Sequence, residues 1–154
     1  MPLAQLKNYA EGRWYTATAE GELLHNAITG EPVYTASSEG LDFGAMMHYG
    51  RTVGGPALRK LTFYQRGLML KALALYLTER KEYFYEISYI SGATRADSWI
   101  DIEGGIGNFF SYASLRRQFG SERFYVDGEQ AKLSKQGTFV GQHIMVPREG
   151  VAIH

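Results

Sequence analysis

Asp97, Asp101 and Glu103 fall close together, the residue types of an acid–base carboxylate pair or a hard-cation site. Helical spacing instead puts Asp97 and Asp101 at i and i+4 on one exposed face, where solvation accounts for them. The four histidines, His25, His48, His143 and His154, have neither metal-ligand spacing nor a carboxylate pair beside them, and none is assigned a role. Gly104-Gly105-Ile106-Gly107 has the glycine density of a phosphate loop but fits neither G-x-G-x-x-G after a strand nor G-x-x-x-x-G-K-[ST]. Arg95, Arg116 and Arg117 read as isolated surface cations. The chain contains no cysteine, which removes disulfides, thiolate metal sites and a cysteine nucleophile together. The residues by themselves therefore yield no catalytic group, no cofactor loop and no metal site.

Composition narrows the class further. With 154 residues, 45% of them hydrophobic, the chain is one domain long and can bury a core. Sixteen basic residues balance 16 acidic ones, which disfavours nucleic acid or an anionic membrane as a partner. No segment has the length and apolarity of a signal peptide or a bilayer span, so the default compartment is the cytoplasm.

Any site must be positioned by the following elements. Residues 7–16, 22–26 and 33–36 read as short strands around the turn Ile28-Thr29-Gly30-Glu31. Ser37 to Gly40 offer caps for a helix over residues 41–50, with Asp42 near its positive end and Gly54-Gly55-Pro56 closing it. Thr62 and Gln65 have capping-box spacing ahead of Leu68, Met69, Leu70, Leu73, Leu75, Tyr76 and Leu77, a broad apolar stripe. A helix over residues 80–91 turns Tyr83, Phe84, Ile87 and Ile90 inward and ends at Gly92. Thr94 or Asp97 opens a fourth helix reaching about Gln118. Residues 119–137 read as a polar connection and 138–146 as a strand covered on both faces; Val151 begins another strand.

Gly104, Gly105 and Gly107 inside the fourth helix each cost roughly 1 kcal/mol relative to alanine. Two readings stand: a close helix crossing, or space for a bulky substrate.

Several segments together resemble the aldehyde dehydrogenase superfamily across essentially the whole chain. Lys7 to Trp14 is similar to the family's opening strand with its Gly-x-Trp, and Asn26-Ala27-Ile28-Thr29-Gly30-Glu31 to its N-P-x-T-G-E turn, Ala27 replacing the usual proline. Arg66, Leu70 and Ala74 match the helix pattern R-x-x-x-L-x-x-x-A. Ser37 to Asp42, Gly92 to Trp99 and Asp101 to Ile106 resemble more narrowly the PaaZ-like branch, the dehydrogenase halves of bifunctional phenylacetate-degradation proteins. The resemblance implies an α/β fold: the N-terminal segment of the aldehyde dehydrogenase fold, an incomplete Rossmann-type domain. Short strands and about four helices over residues 1–137 would pack around a cofactor domain, and residues 138–154 would be truncated strands of an oligomerisation sheet.

The function implied is that of an N-terminal fragment of an NAD- or NADP-dependent enzyme oxidising a CoA-linked semialdehyde in phenylacetate catabolism, through a cysteine thiolate, hydride transfer and thioester hydrolysis. The parent would hold NAD or NADP, whereas this chain would bind neither and would be inactive alone. Gly104, Gly105, Gly107, Asn108 and Phe109 would lie beside the aldehyde entrance tunnel, with room for a large acyl chain. Phe139, Val140, Gln142, Ile144, Val146, Val151 and Ile153 would pair between copies, making a homo-oligomer. The rival expectation is a stand-alone, non-catalytic binding or assembly protein that dimerises through its sheet edge.

Overall fold

The computed structural model describes residues 3–153. It opens with β1 (Ala4–Gln5), β2 (Asn8–Ala10), β3 (Arg13–Tyr15), β4 (Glu22–His25) and β5 (Pro32–Ala36). The expected strand over residues 7–16 is a hairpin: Asn8 pairs with Tyr15 and Ala10 with Arg13 across a turn in which Glu11 and Gly12 both have positive φ. Such a turn matches the right-handed twist of its strands. β5 is the centre of a separate three-stranded sheet, parallel to β1 and antiparallel to β4. This two-residue parallel pairing is the only one among the described residues, so no Rossmann unit is built from them.

The turn between β4 and β5 is held by its own side chains. Asn26 Oδ1 accepts from the N–H groups of Ile28 and Thr29, and Gly30 adopts φ 75°. The backbone N–H of Ala27 leaves the turn and donates to the Ile90 carbonyl at 2.8 Å.

The first helix runs further than its sequence suggests. Asp42 caps α1 (Phe43–Tyr49) by accepting from Ala45 N–H. An i→i+5 turn over Gly50–Gly54 then leads without a break into α2 (Gly55–Arg59). Gly54-Gly55-Pro56 therefore does not end the helix: Pro56 follows directly on the wide turn, where the i→i−4 ladder is already interrupted and a missing N–H is accommodated, and its fixed φ suits the helix that continues. Arg66 donates through both Nε and Nη2 to the Leu58 carbonyl, fastening the end of α2 to the next helix.

α3 (Phe63–Thr78), α4 (Lys81–Ile90) and α5 (Arg95–Ser114) form the body, with α5 packed chiefly on α3 and then on α4. Thr62 and Gln65 make the capping box foreseen for α3, and Thr94 with Asp97 make one for α5. A single 3₁₀ turn, Leu115–Arg117, continues α5. The inward residue of α4 is Tyr85, 1% exposed, whereas Tyr83 is 61% exposed and Ile87 is also exposed. The apolar stripe of α3 is only half covered, since Leu68, Met69, Leu73, Leu75 and Tyr76 stay exposed around a buried Ala74.

The stretch expected to be a connection contains a strand. β6 (Tyr125–Lys132) pairs antiparallel with β7 (Val140–Met145), with an irregular register between Asp127 and Ala131. These two strands pack chiefly on each other. The hairpin is anchored through an aromatic stack in which Phe119 lies between Phe63 and Tyr125. Val151 starts no strand: residues 151–153 are irregular and lie against Phe43, Met46 and Met47 of α1.

The chain exposes 11794 Å², whereas a self-contained monomer of 17.3 kDa exposes about 7,800 Å². Most of its large apolar side chains lie at least partly in solvent.

Candidate functional site

Gly104, Gly105 and Gly107 lie in the middle of α5, and a Cβ built on any of them meets nothing within 4 Å. The close-crossing explanation is thereby overturned at these positions. The tight approach is elsewhere: a Cβ on Gly67 of α3 would lie 2.7 Å from Arg116 Cβ and 3.0 Å from the Ala113 carbonyl oxygen. Gly67 is the residue that lets α3 and α5 meet, and its sequence context gave no sign of it.

Beside the α5 glycines is a shallow apolar depression of about 280 Å³ lined by Leu77, Phe84, Ile102, Gly105, Ile106 and Phe109. Of the five residues expected at a substrate tunnel, Gly105 and Phe109 line it; Gly104, Gly107 and Asn108 do not. Its walls carry no titratable group. The depression can receive an apolar chain and performs no chemistry by itself.

A polar cluster next to it fixes α4 on α5. Tyr85 OH donates to Glu103 Oε1 at 2.9 Å and Lys81 Nζ donates to the same oxygen at 3.1 Å. The Arg95 guanidinium covers the Tyr85 ring at 4.0 Å and reaches Glu82 at 3.5 Å. The hydrogen bonds from Tyr85 and then Lys81 hold the Glu103 carboxyl below its ordinary range. Burial, followed by the bond to Glu103, pushes the Tyr85 phenol up.

The motif from Gly92 to Trp99 acquires a structural account here. Gly92 turns the chain at φ 85°, Thr94 caps α5, Arg95 stacks on Tyr85, and fully buried Ser98 donates to the Thr94 carbonyl and meets Ser88 Oγ at 2.8 Å. Trp99 stays exposed. Of the three clustered acids, Asp97 accepts from Thr94 as its partner in the capping box, Asp101 is exposed and Glu103 belongs to the α4–α5 cluster.

His25 lines an apolar groove with Leu24, Tyr34 and Ile87, His48 lies in the last turn of α1, and His143 faces Asp127 across the β6–β7 ladder; His154 is outside the described residues. Among the described residues no three His, Cys, Asp or Glu side chains gather as metal ligands. Among the described residues the α5 glycines are helical throughout and so form no loop that leads into a helix to cradle a dinucleotide pyrophosphate. The residues present do not fit a nicotinamide cofactor.

The residues expected to pair between copies fall in three places. Val140, Gln142 and Ile144 are on β7, opposite Lys132, near the irregular register and opposite Val126 respectively. Gln142 Nε2 donates to the Gly128 carbonyl and is engaged inside the hairpin. Phe139 and Val146 flank β7 and are exposed, while Val151 and Ile153 lie beside α1. Neither face of β7 is covered within the chain, contrary to expectation: Val140 and Ile144 on one face and Met145 on the other are exposed. No described helix is long and apolar enough to cross a membrane.

No protein-family profile matches the chain. Over 150 residues, 97% of its length, it is 36% identical to the 3,4-dehydroadipyl-CoA semialdehyde dehydrogenase of Aromatoleum evansii. The matched part is 29% of that relative, so the chain spans under a third of the protein it resembles. The similarity to this semialdehyde dehydrogenase runs over nearly the whole chain and so includes the turn, the helix pattern and the Gly92–Trp99 motif that carry the aldehyde dehydrogenase resemblance.

Proposed function

We propose that this chain is part of an NAD- or NADP-dependent aldehyde dehydrogenase that oxidises a CoA-linked semialdehyde in the breakdown of aromatic compounds such as phenylacetate. The observation that carries this reading is the 36% identity over 97% of the chain to a CoA-linked semialdehyde dehydrogenase. The chain's role is architectural: it supplies surfaces on which the cysteine-bearing and cofactor-binding parts of the enzyme dock. The roughly 4,000 Å² of surface beyond a self-contained monomer, and the half-covered stripe on α3, favour such docking. The open glycines of α5, with the depression at Gly105 and Phe109, offer the substrate's acyl chain an apolar wall.

The test begins with the reading frame after His154. Continuation into a catalytic cysteine and a dinucleotide loop, together with NAD(P)H formation by the complete polypeptide on a CoA-linked semialdehyde, is the expected result. A stop codon after His154 and a stable assembly without turnover would establish the rival, a stand-alone assembly protein. NAD(P)H formation by the purified 154-residue chain would refute the architectural role, since no thiol is present to attack an aldehyde.

A further inference from the structure

A second cleft, remote in sequence from α5, lies where the wide turn Gly50–Gly54 meets the chain near Gly150; it is lined by Arg51, Arg59, Glu149 and Gly150 and holds about 340 Å³. We propose that this cleft binds a phosphoryl dianion between the Arg51 and Arg59 guanidiniums.

The helix geometry brings the two cations together. Eight residues apart on a regular α-helix, two side chains diverge by about 80°. The i→i+5 turn is wider than an α-turn and takes up most of that angle, so Arg51 and Arg59 line one cleft. Gly55 makes room for the second of them, because a Cβ there would lie 3.0 Å from Arg59 Nη1. Helical glycine is costly, and at Gly55 that cost coincides with a seated guanidinium.

The charge balance selects the ligand class. Glu149 is the one carboxylate lining the cleft, and its 3.6 Å approach to Arg59 Nε with a side chain 80% exposed makes a loose, solvent-screened pair. Among the described residues no carboxylate oxygen lies within 4.0 Å of an Arg51 nitrogen. Two guanidiniums and one displaceable carboxylate lining the same cleft favour a tetrahedral dianion, which can engage both cations, over a carboxylate, which occupies one. The dianion is either inorganic phosphate or the phosphate end of a nucleotide-type molecule.

The test uses the 154-residue chain with ¹⁵N-labelled arginine, titrated separately with inorganic phosphate and with adenosine 3′,5′-bisphosphate. The Arg51 and Arg59 Nε–H signals are expected to move saturably while those of Arg116 and Arg117 stay in place. Arg51→Gln and Arg59→Gln should each weaken binding about tenfold, the loss of one charge-assisted hydrogen-bonding partner. Glu149→Gln should tighten it several-fold by removing the competing carboxylate, a gain that misfolding cannot imitate. Tighter binding of the bisphosphate identifies a nucleotide end, and equal affinity identifies free phosphate. Unmoved Arg51 and Arg59 signals, or affinity indifferent to Arg51→Gln and Glu149→Gln, would overturn the site. Binding is read without turnover, so this result is independent of the dehydrogenase assignment.

Discussion

Ala27 and Ile90 are joined through their backbones: the Ala27 N–H donates at 2.8 Å to the carbonyl that ends α4. This bond fastens the β4–β5 turn to the helical body and satisfies one of the last helix carbonyls, which have no partner within the helix. The proline usual at this place in the resembling family has no N–H, so the departure at Ala27 has a physical use.

Ala27→Pro is accordingly expected to destabilise the chain by about 1–3 kcal/mol, because it removes the donor and strands a carbonyl. Ala27→Gly keeps the donor and should cost less. Urea unfolding followed by circular dichroism compares the two; equal midpoints would show that the bond contributes nothing.

The glycines of α3 and α5 should respond in opposite directions. Gly67→Ala forces a Cβ against Arg116 Cβ and the Ala113 carbonyl and should destabilise by about 1–3 kcal/mol. Gly104→Ala meets nothing within 4 Å and should stabilise α5 by about 0.5–1 kcal/mol. Thermal melts of both variants beside the parent check the sign of each shift.

Acid should act through Glu103. Its folded pKa is depressed by the hydrogen bonds from Tyr85 and Lys81, so the stability it contributes is fully present above the ordinary carboxyl value of 4.5 and is lost as pH falls through the folded value. Tyr85 works in the other direction: its raised pKa gives stability that is present below the ordinary phenol value of 10.0 and lost as pH rises through the folded one. Glu103→Gln should flatten the acid limb of a stability–pH curve, and Tyr85→Phe the alkaline limb. Curves unchanged in both variants would remove the cluster from the account of α4–α5 packing.

The β6–β7 hairpin should self-associate. A lone two-stranded sheet is marginally stable in water, and this one keeps Phe139, Ile144 and Val146 exposed along strands with unpaired outer edges. Sedimentation at micromolar concentration is expected to show a dimer or larger species, shifted toward monomer by Ile144→Lys. A monomeric parent would exclude pairing through this hairpin.

Where side chains act on their own backbone, the sequence was readable. Thr62 with Gln65 is a local device whose spacing marks the start of α3, while for α5 the sequence left Thr94 and Asp97 as alternative starts and the structure makes Thr94 the cap with Asp97 as its partner. Long-range pairings left no such mark. Tyr85 and Glu103 meet across 18 positions, and Gly67 is explained only by a residue on another helix. β6 escaped notice because Asp127, Gly128, Glu129 and Gln130 give it the composition of a loop, and its partner β7 rather than its own pattern makes it a strand. Gly54-Gly55-Pro56 misled because proline normally halts a helix from within, whereas here the i→i+5 turn just before it absorbs the missing N–H. For the candidate site, the resemblance led to α5, yet only Gly105 and Phe109 of the five expected residues line its depression.

Both tryptophans lie at the surface: Trp14 packs edge-on against Tyr9 and remains 69% exposed, and Trp99 is 58% exposed. The folded chain should therefore emit at long wavelength and be readily quenched by iodide, as water-exposed indoles are. Any polypeptide that seats itself over β3 or the start of α5 will shift that emission to the blue and shield it from the quencher. The chain thus carries two intrinsic optical reporters of its own burial, placed where they register assembly rather than folding.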